Sequence, residues 1–296
     1  MVGTPERSRR SRRWYWALPL ILLLALAVPV LVGCDGCFYY PDSRDDGGPE
    51  ALGLIKEDVY FTTSDGLRLH GWFLPAVGTP RGMVLSFHGN AGNMTNHVHA
   101  IGWLPPAGYH VLTFDYRGYG RSAGRVTRAG TTLDGLAAVD YALTRPEYEP
   151  GRLFAYGQSM GGAVATVVAA QRPELRALVA EATFDSYRNV AATHTRKAVF
   201  FDFLARPLAG LLISAGHDPV DHIADLSPRP VLIIAAGRDQ MCPPVLARNL
   251  YEHAREPRAW VLVDEADHFN LHNLGGDDLL QRILATFELG AAPPAP

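Results

Sequence analysis

Cysteine is scarce in this chain of 296 residues, which holds three: Cys34, Cys37 and Cys242. No Cys-x-x-Cys pair repeats, so the ligand pattern of a structural zinc site is missing. Charge is sparse too, at 19% of residues, and nearly balances to a formal −3. Beyond the first residues the basic side chains are dispersed, which removes the electrostatic footprint of a nucleic-acid binder. Internal repeats are absent, which excludes solenoids and propellers. Apolar material is plentiful instead: 48% of residues are hydrophobic, enough for one substantial core. Length alone gives no reason to split an α/β domain of this size.

The two ends depart from that globular composition. Arg7, Arg9, Arg10, Arg12 and Arg13 precede the apolar run ALPLILLLALAVPVLVG. A basic n-region followed by an apolar h-region is the pattern of an export signal. The run closes on Leu31-Val32-Gly33-Cys34, which resembles the lipobox of bacterial lipoproteins. That resemblance implies a diacylglycerol on the Cys34 thiol, with Cys34 as the mature N-terminus. The alternative is an uncleaved signal anchor, since Trp14 to Val32 matches the ~20 residues needed to cross a bilayer. Both readings leave the arginines in the cytoplasm and expect a membrane-anchored domain facing outward in the bacterial cell envelope. An oxidising compartment allows a Cys37–Cys242 disulfide; unpaired thiols are the simpler alternative. The expected organisation is therefore an export signal over 1–33, an Asp/Gly/Pro-rich tether over 34–53, a globular domain over 54–289 and a disordered tail over 290–296.

Within the domain, strand and helix signals alternate. EDVYFTTSDGLRLHGWFLPA alternates apolar and polar residues around Ser64-Asp65-Gly66, a hairpin signature. Six near-continuous apolar runs follow: Gly82 to Gly89, His110 to Tyr116, Arg152 to Gly157, Ala177 to Thr183, Pro230 to Gly237 and Ala259 to Ala266. Strands apolar on both faces belong to a parallel sheet covered on both sides. The segments between them are helix-like, as in TTLDGLAAVDYALTR and GGAVATVVAAQRP. The expected fold class is α/β, a mostly parallel central sheet flanked by helices on both faces. The stretch at about 185–225 has no strand signal and is expected to form a small helical cap over one end of the sheet.

Chemistry collects beyond the carboxyl ends of strands in such sheets. Gly157-Gln158-Ser159-Met160-Gly161 is a G-x-S-x-G motif between a strand and a helix. There the serine occupies a strained turn, and its neighbours must lack side chains that would strike the strand or helix. Ser159 is the candidate nucleophile. His268 lies just past the last strand signal and is the candidate base, with His272 as its nearest competitor. Asp239 follows the strand PVLII and is the candidate orienting acid; a helix cap is its rival role, and Asp264 and Asp267 lie too near His268 for an easy pairing. The Ser159, Asp239, His268 order matches the chain order described for this motif. SFHGNAGN, after the strand GMVLSF, offers the Asn90 amide, which with that of Met160 completes a candidate oxyanion hole. His88, His97 and His99 lack a carboxylate at fixed spacing; a metal is not expected, and His88 is read as bracing its loop.

HGNAGN, DYRGYGRSAG, GQSMGG, AAGRD and ADHFN, in that order, resemble the α/β-hydrolase superfamily, in its abhydrolase-domain branch close to serine aminopeptidase-like sequences. The likeness covers roughly Leu54 to Leu289. It implies a serine hydrolase that cleaves an ester-type acyl bond, with an amidase or aminopeptidase-like hydrolase, an acyltransferase or, less favourably, a non-catalytic binding module as alternatives. It also implies no cofactor, a small-molecule or lipid-like acyl substrate, and a YRGYGRS loop at the rim of the site. One departure from the branch is His268-Phe269-Asn270, where His-Asn-Asp is frequent.

Overall fold

The computed structural model describes residues 35–198 and 205–291. The export signal and Cys34 lie outside them. No helix among the described residues is long and apolar enough to cross a membrane.

The expected hairpin forms from β2 (Glu57–Thr62) and β3 (Arg68–Leu74), closed by Thr63, whose amide donates to the Leu67 carbonyl and whose hydroxyl accepts the Leu67 amide. The apolar runs become β4 (Gly82–Phe87), β6 (Tyr109–Phe114), β7 (Leu153–Gln158), β8 (Leu175–Glu181), β9 (Val231–Ala236) and β10 (Arg258–Val263). Together they make one eight-stranded sheet in the order β10-β9-β8-β7-β4-β6-β3-β2. Strands β4 and β6 through β10 run parallel, and β2 and β3 add the antiparallel edge. Every residue of β4, β6 and β9 is buried. Each large aliphatic or aromatic side chain there contributes about 1.5–3 kcal/mol through burial.

The described residues form seven α-helices, five of which flank the sheet. On one face, α2 (Arg128–Thr144), α3 (Met160–Gln171) and α6 (Pro244–His253) bury Ala138, Val164, Val168, Leu246 and Leu250. On the other, α1 (Met94–Ile101) and α7 (Leu271–Ala291) bury Val98, Ile101, Leu279, Ile283 and Phe287. Helix α7 is broken at Gly276, and it takes Gly290 and Ala291 out of the stretch expected as tail. The cap holds α4 (Tyr187–Ala198) and α5 (Ala205–Leu212), then two 3-10 turns ending at Leu226.

β4 lies between β6 and β7, so the winding of the chain reverses there. The loops after β4 and β7 consequently open onto the same crevice, the position where open α/β sheets bind ligands.

The expected tether is docked on the domain. Tyr39 is buried, and β1 (Tyr40–Pro41) pairs in parallel with β5 (Ala91–Gly92) inside the loop after β4. Two devices hold it. The Tyr40 amide donates to the Asn90 carbonyl at 3.0 Å, and the Asn93 side chain donates to the carbonyls of Asp42 and Arg44. A segment rich in Asp, Gly and Pro reads as a linker because it lacks periodicity, yet its carbonyls still find buried donors.

Candidate active site

Ser159 sits between β7 and α3 with φ +56° and ψ −124°, a conformation that costs an L-residue about 1–3 kcal/mol. The surroundings enforce it. The Ser159 amide donates to the Glu181 carbonyl at 2.8 Å, and the Thr183 hydroxyl donates to the Ser159 carbonyl at 2.8 Å. A Cβ on Gly161 would stand 2.0 Å from the Phe87 carbonyl oxygen, so helix, elbow and β4 approach closely only through glycine.

His268 Nε2 lies 3.1 Å from Ser159 Oγ, and His268 Nδ1 lies 2.6 Å from Asp239 Oδ2. All three residues are buried. Pro243 occupies the N-cap position of α6, so Asp239 does not cap that helix and instead binds the turn before it. Its Oδ1 accepts the amides of Met241 and Cys242, each at 2.8 Å, while Oδ2 faces the imidazole. Asp267 caps its own turn by accepting the amides of Phe269 and Asn270. The Cys242 thiol is free and buried, 4.0 Å from Ser159 Oγ, and burial pushes its pKa up. The side chain of Cys37 lies outside the described ones.

Asn90, Ser159 and Met160 line one cavity together. Neither the Asn90 nor the Met160 amide has an acceptor among the described residues. Met160 is the first residue of α3, whose dipole adds partial positive charge there. The Asn90 peptide is fixed from both sides: its carbonyl accepts Tyr40 N–H at 3.0 Å and Tyr119 O–H at 2.8 Å, and its side chain donates to the Phe38 carbonyl.

The YRGYGRS loop does not line either cavity beside Ser159, contrary to the resemblance. Tyr116 and Tyr119 are fully buried and brace the loop after β4 from behind, Tyr116 donating to the His88 carbonyl at 3.2 Å. His88 packs 4.5 Å from the Tyr116 ring, and burial, reinforced by His97, lowers its pKa to about 3, so it stays neutral. No group of three or more His, Cys, Asp or Glu among the described residues is arranged to hold a metal ion.

A second acid–histidine pair went unread in the sequence. Glu181, at the end of β8 and wholly buried, accepts Tyr156 O–H at 2.6 Å and lies 2.8 Å from His272 Nε2. Burial alone would raise the Glu181 pKa, but His272, Tyr156 and Gln158 outweigh it and hold it low. Burial likewise opposes the charge on His272, and Glu181 outweighs it and raises the imidazole's pKa. His272 is thus committed to Glu181 rather than to Ser159. A carboxylate inside the apolar run ALVAEAT was the available signal.

The family model described as "Serine aminopeptidase, S33" matches residues 78–225, which carry the elbow and the loop after β4. The Arabidopsis thaliana "Alpha/beta hydrolase domain-containing protein WAV2" is 32% identical over 77% of this chain and 73% of its own. This chain belongs to the α/β-hydrolase superfamily. Protein YfhR of Salmonella typhi is 33% identical over 90% of this chain and 91% of its own. A solved structure of the Pyrococcus furiosus esterase Pf2001 superposes with a TM-score of 0.71 at 22% identity, covering 85% of this chain and 97% of that one. At that identity the likeness speaks to the fold. Within the superfamily the sheet order and the elbow are shared architecture, and the chemistry rests on the site itself.

Proposed function

We propose that this α/β-hydrolase is a serine hydrolase that cleaves a carboxylic ester through an acyl-enzyme. The observation that carries the reading is the continuous line of contacts from Ser159 Oγ through His268 to Asp239, at 3.1 and 2.6 Å. His268 Nε2 takes the Ser159 proton as Oγ bonds the carbonyl carbon. The Asn90 and Met160 amides receive the negative charge that develops on the carbonyl oxygen. Asp239 holds the imidazole with Nδ1–H toward itself and stabilises the imidazolium. His268 then returns the proton to the departing alkoxide, and water enters by the same route to release the acid. Every proton is accounted for without a metal or organic cofactor.

Ser159→Ala tests this: aryl-ester turnover and labelling by a fluorophosphonate should both vanish while the fold remains. Retention of either would overturn the reading. An aminopeptidase-like activity is the second reading, favoured by the serine aminopeptidase description of the matching family model. The same residues would act on an amine leaving group, and comparing aminoacyl-amide with ester turnover separates the two. We further propose, from the arginines and apolar run ahead of Cys34, that the domain is anchored at the outer side of a bacterial membrane, with lipid on Cys34 or an uncleaved span.

A further inference from the structure

Two cavities that differ in their polar side chains meet at Ser159. The larger, about 830 Å³, is walled by His268 together with Asn96, His97, His99, His272 and Asn273. The smaller, about 390 Å³, lies under the cap and is walled by Met160 together with Phe184, Val190, Leu212 and Ile213. Ser159 and Asn90 belong to both, whereas His268 borders only the larger and Met160 only the smaller.

This division assigns the two halves of an ester. The bond that breaks in acylation joins the carbonyl carbon to the leaving oxygen, and that oxygen receives its proton from His268 Nε2. It must therefore lie within hydrogen-bond reach of Nε2, on the side of the larger cavity. The carbonyl oxygen turns toward the Met160 and Asn90 amides. The remaining substituent, the acyl chain, leaves the carbonyl carbon toward the smaller cavity. An apolar leaving group in the larger cavity would strip water from amides and imidazoles without replacing its hydrogen bonds. A polar acyl group among Phe184, Val190, Leu212 and Ile213 would find His194 and Thr195 as polar side chains, and these already engage the Met241 and Ala191 carbonyls.

We infer that the substrate is an amphiphilic ester, with an aliphatic acyl chain seated between Val190 and Ile213 and a hydroxyl-rich alcohol of the glycerol kind seated beside His99 and Asn273. The inference rests on the serine-hydrolase reading of Ser159.

The test uses monoacylglycerols and ethyl esters of acids from acetate to dodecanoate. In the wild-type protein kcat/KM should climb about fourfold per methylene until the cavity is filled, and monoacylglycerols should exceed ethyl esters of the same acid. Ile213→Trp should lower the octanoate-to-acetate ratio at least tenfold, and Val190→Trp, from α4, should do the same should the first variant fail to fold. The double variant His99→Leu, Asn273→Leu should lower the monoacylglycerol-to-ethyl ratio while sparing the chain-length order. A flat chain-length profile, or tryptophans that lower acetate and octanoate alike, would overturn the acyl assignment. A double variant that shifts chain-length preference would mean the arms are exchanged. Fluorophosphonate labelling of Ser159 with flat selectivity defeats this inference alone; no labelling defeats both it and the serine-hydrolase reading.

Discussion

His272 Nε2 stands 2.8 Å from Glu181 Oε2, joining the first turn of α7 to the end of β8 across 91 residues of chain. The pair sets a pH window for stability. His272 has a raised pKa, so its contribution is complete below the ordinary imidazole value of about 6.5 and fades as pH climbs through the raised value. Glu181 has a lowered pKa, so its contribution is complete above the ordinary carboxyl value of about 4.3 and fades as pH falls through the lowered one. Glu181→Gln should cost about 3 kcal/mol near pH 6, the low end for broken buried pairs because His272 keeps 22% of its side chain exposed. Denaturant unfolding at pH 6 and pH 8.5 should show the gap between wild type and variant narrowing at the higher pH. An equal gap at both would remove the pair from the pH dependence.

Asp239→Asn keeps an oxygen for the Met241 and Cys242 amides but takes the carboxylate away from His268 Nδ1. Single-turnover measurements should show kcat lowered by about 10⁴-fold. The melting temperature should move by only a few degrees.

Gly161→Ala places a methyl 2.0 Å from the Phe87 carbonyl oxygen and 2.6 Å from that of His88, both on rigid backbone. Relief requires the loop after β4 to retreat from the elbow, carrying Asn90 with it. We expect a loss of at least about 3 kcal/mol in chemical denaturation, and weaker ester turnover in whatever protein remains folded.

Tyr40→Pro deletes the amide that donates to the Asn90 carbonyl, leaving that carbonyl with the Tyr119 hydroxyl as its donor among the described residues. Loosening the Asn90 peptide should lower kcat of a short acyl ester by about tenfold or more, since a lost oxyanion-hole donor costs 10²–10³. KM for that ester should change little. A KM rise with kcat intact would instead assign Tyr40 to substrate binding alone.

The fold was legible because its central parallel strands are buried on both faces and therefore written as uninterrupted apolar runs. That Ser159, Asp239 and His268 meet was legible for a related reason: each lies two residues past such a run, and the sheet brings those ends to one edge. Features made by pairing distant side chains left no local trace. Glu181 and His272 carry no periodic signal that couples them, and Tyr116 and Tyr119 look like loop residues until their burial behind Asn90 is visible. The β1–β5 pair is two residues long on each side, too short for any alternation pattern to mark it.

That short pair also works as a leash. Tyr40 lies six steps of chain beyond Cys34, and a fully extended chain advances only about 3.5 Å per residue. An anchor at Cys34, as proposed above, would therefore stand no more than about 20 Å from Tyr40, which borders both cavities. An acyl ester lying in the same surface as that anchor would reach Ser159 without first dissolving into the surrounding water.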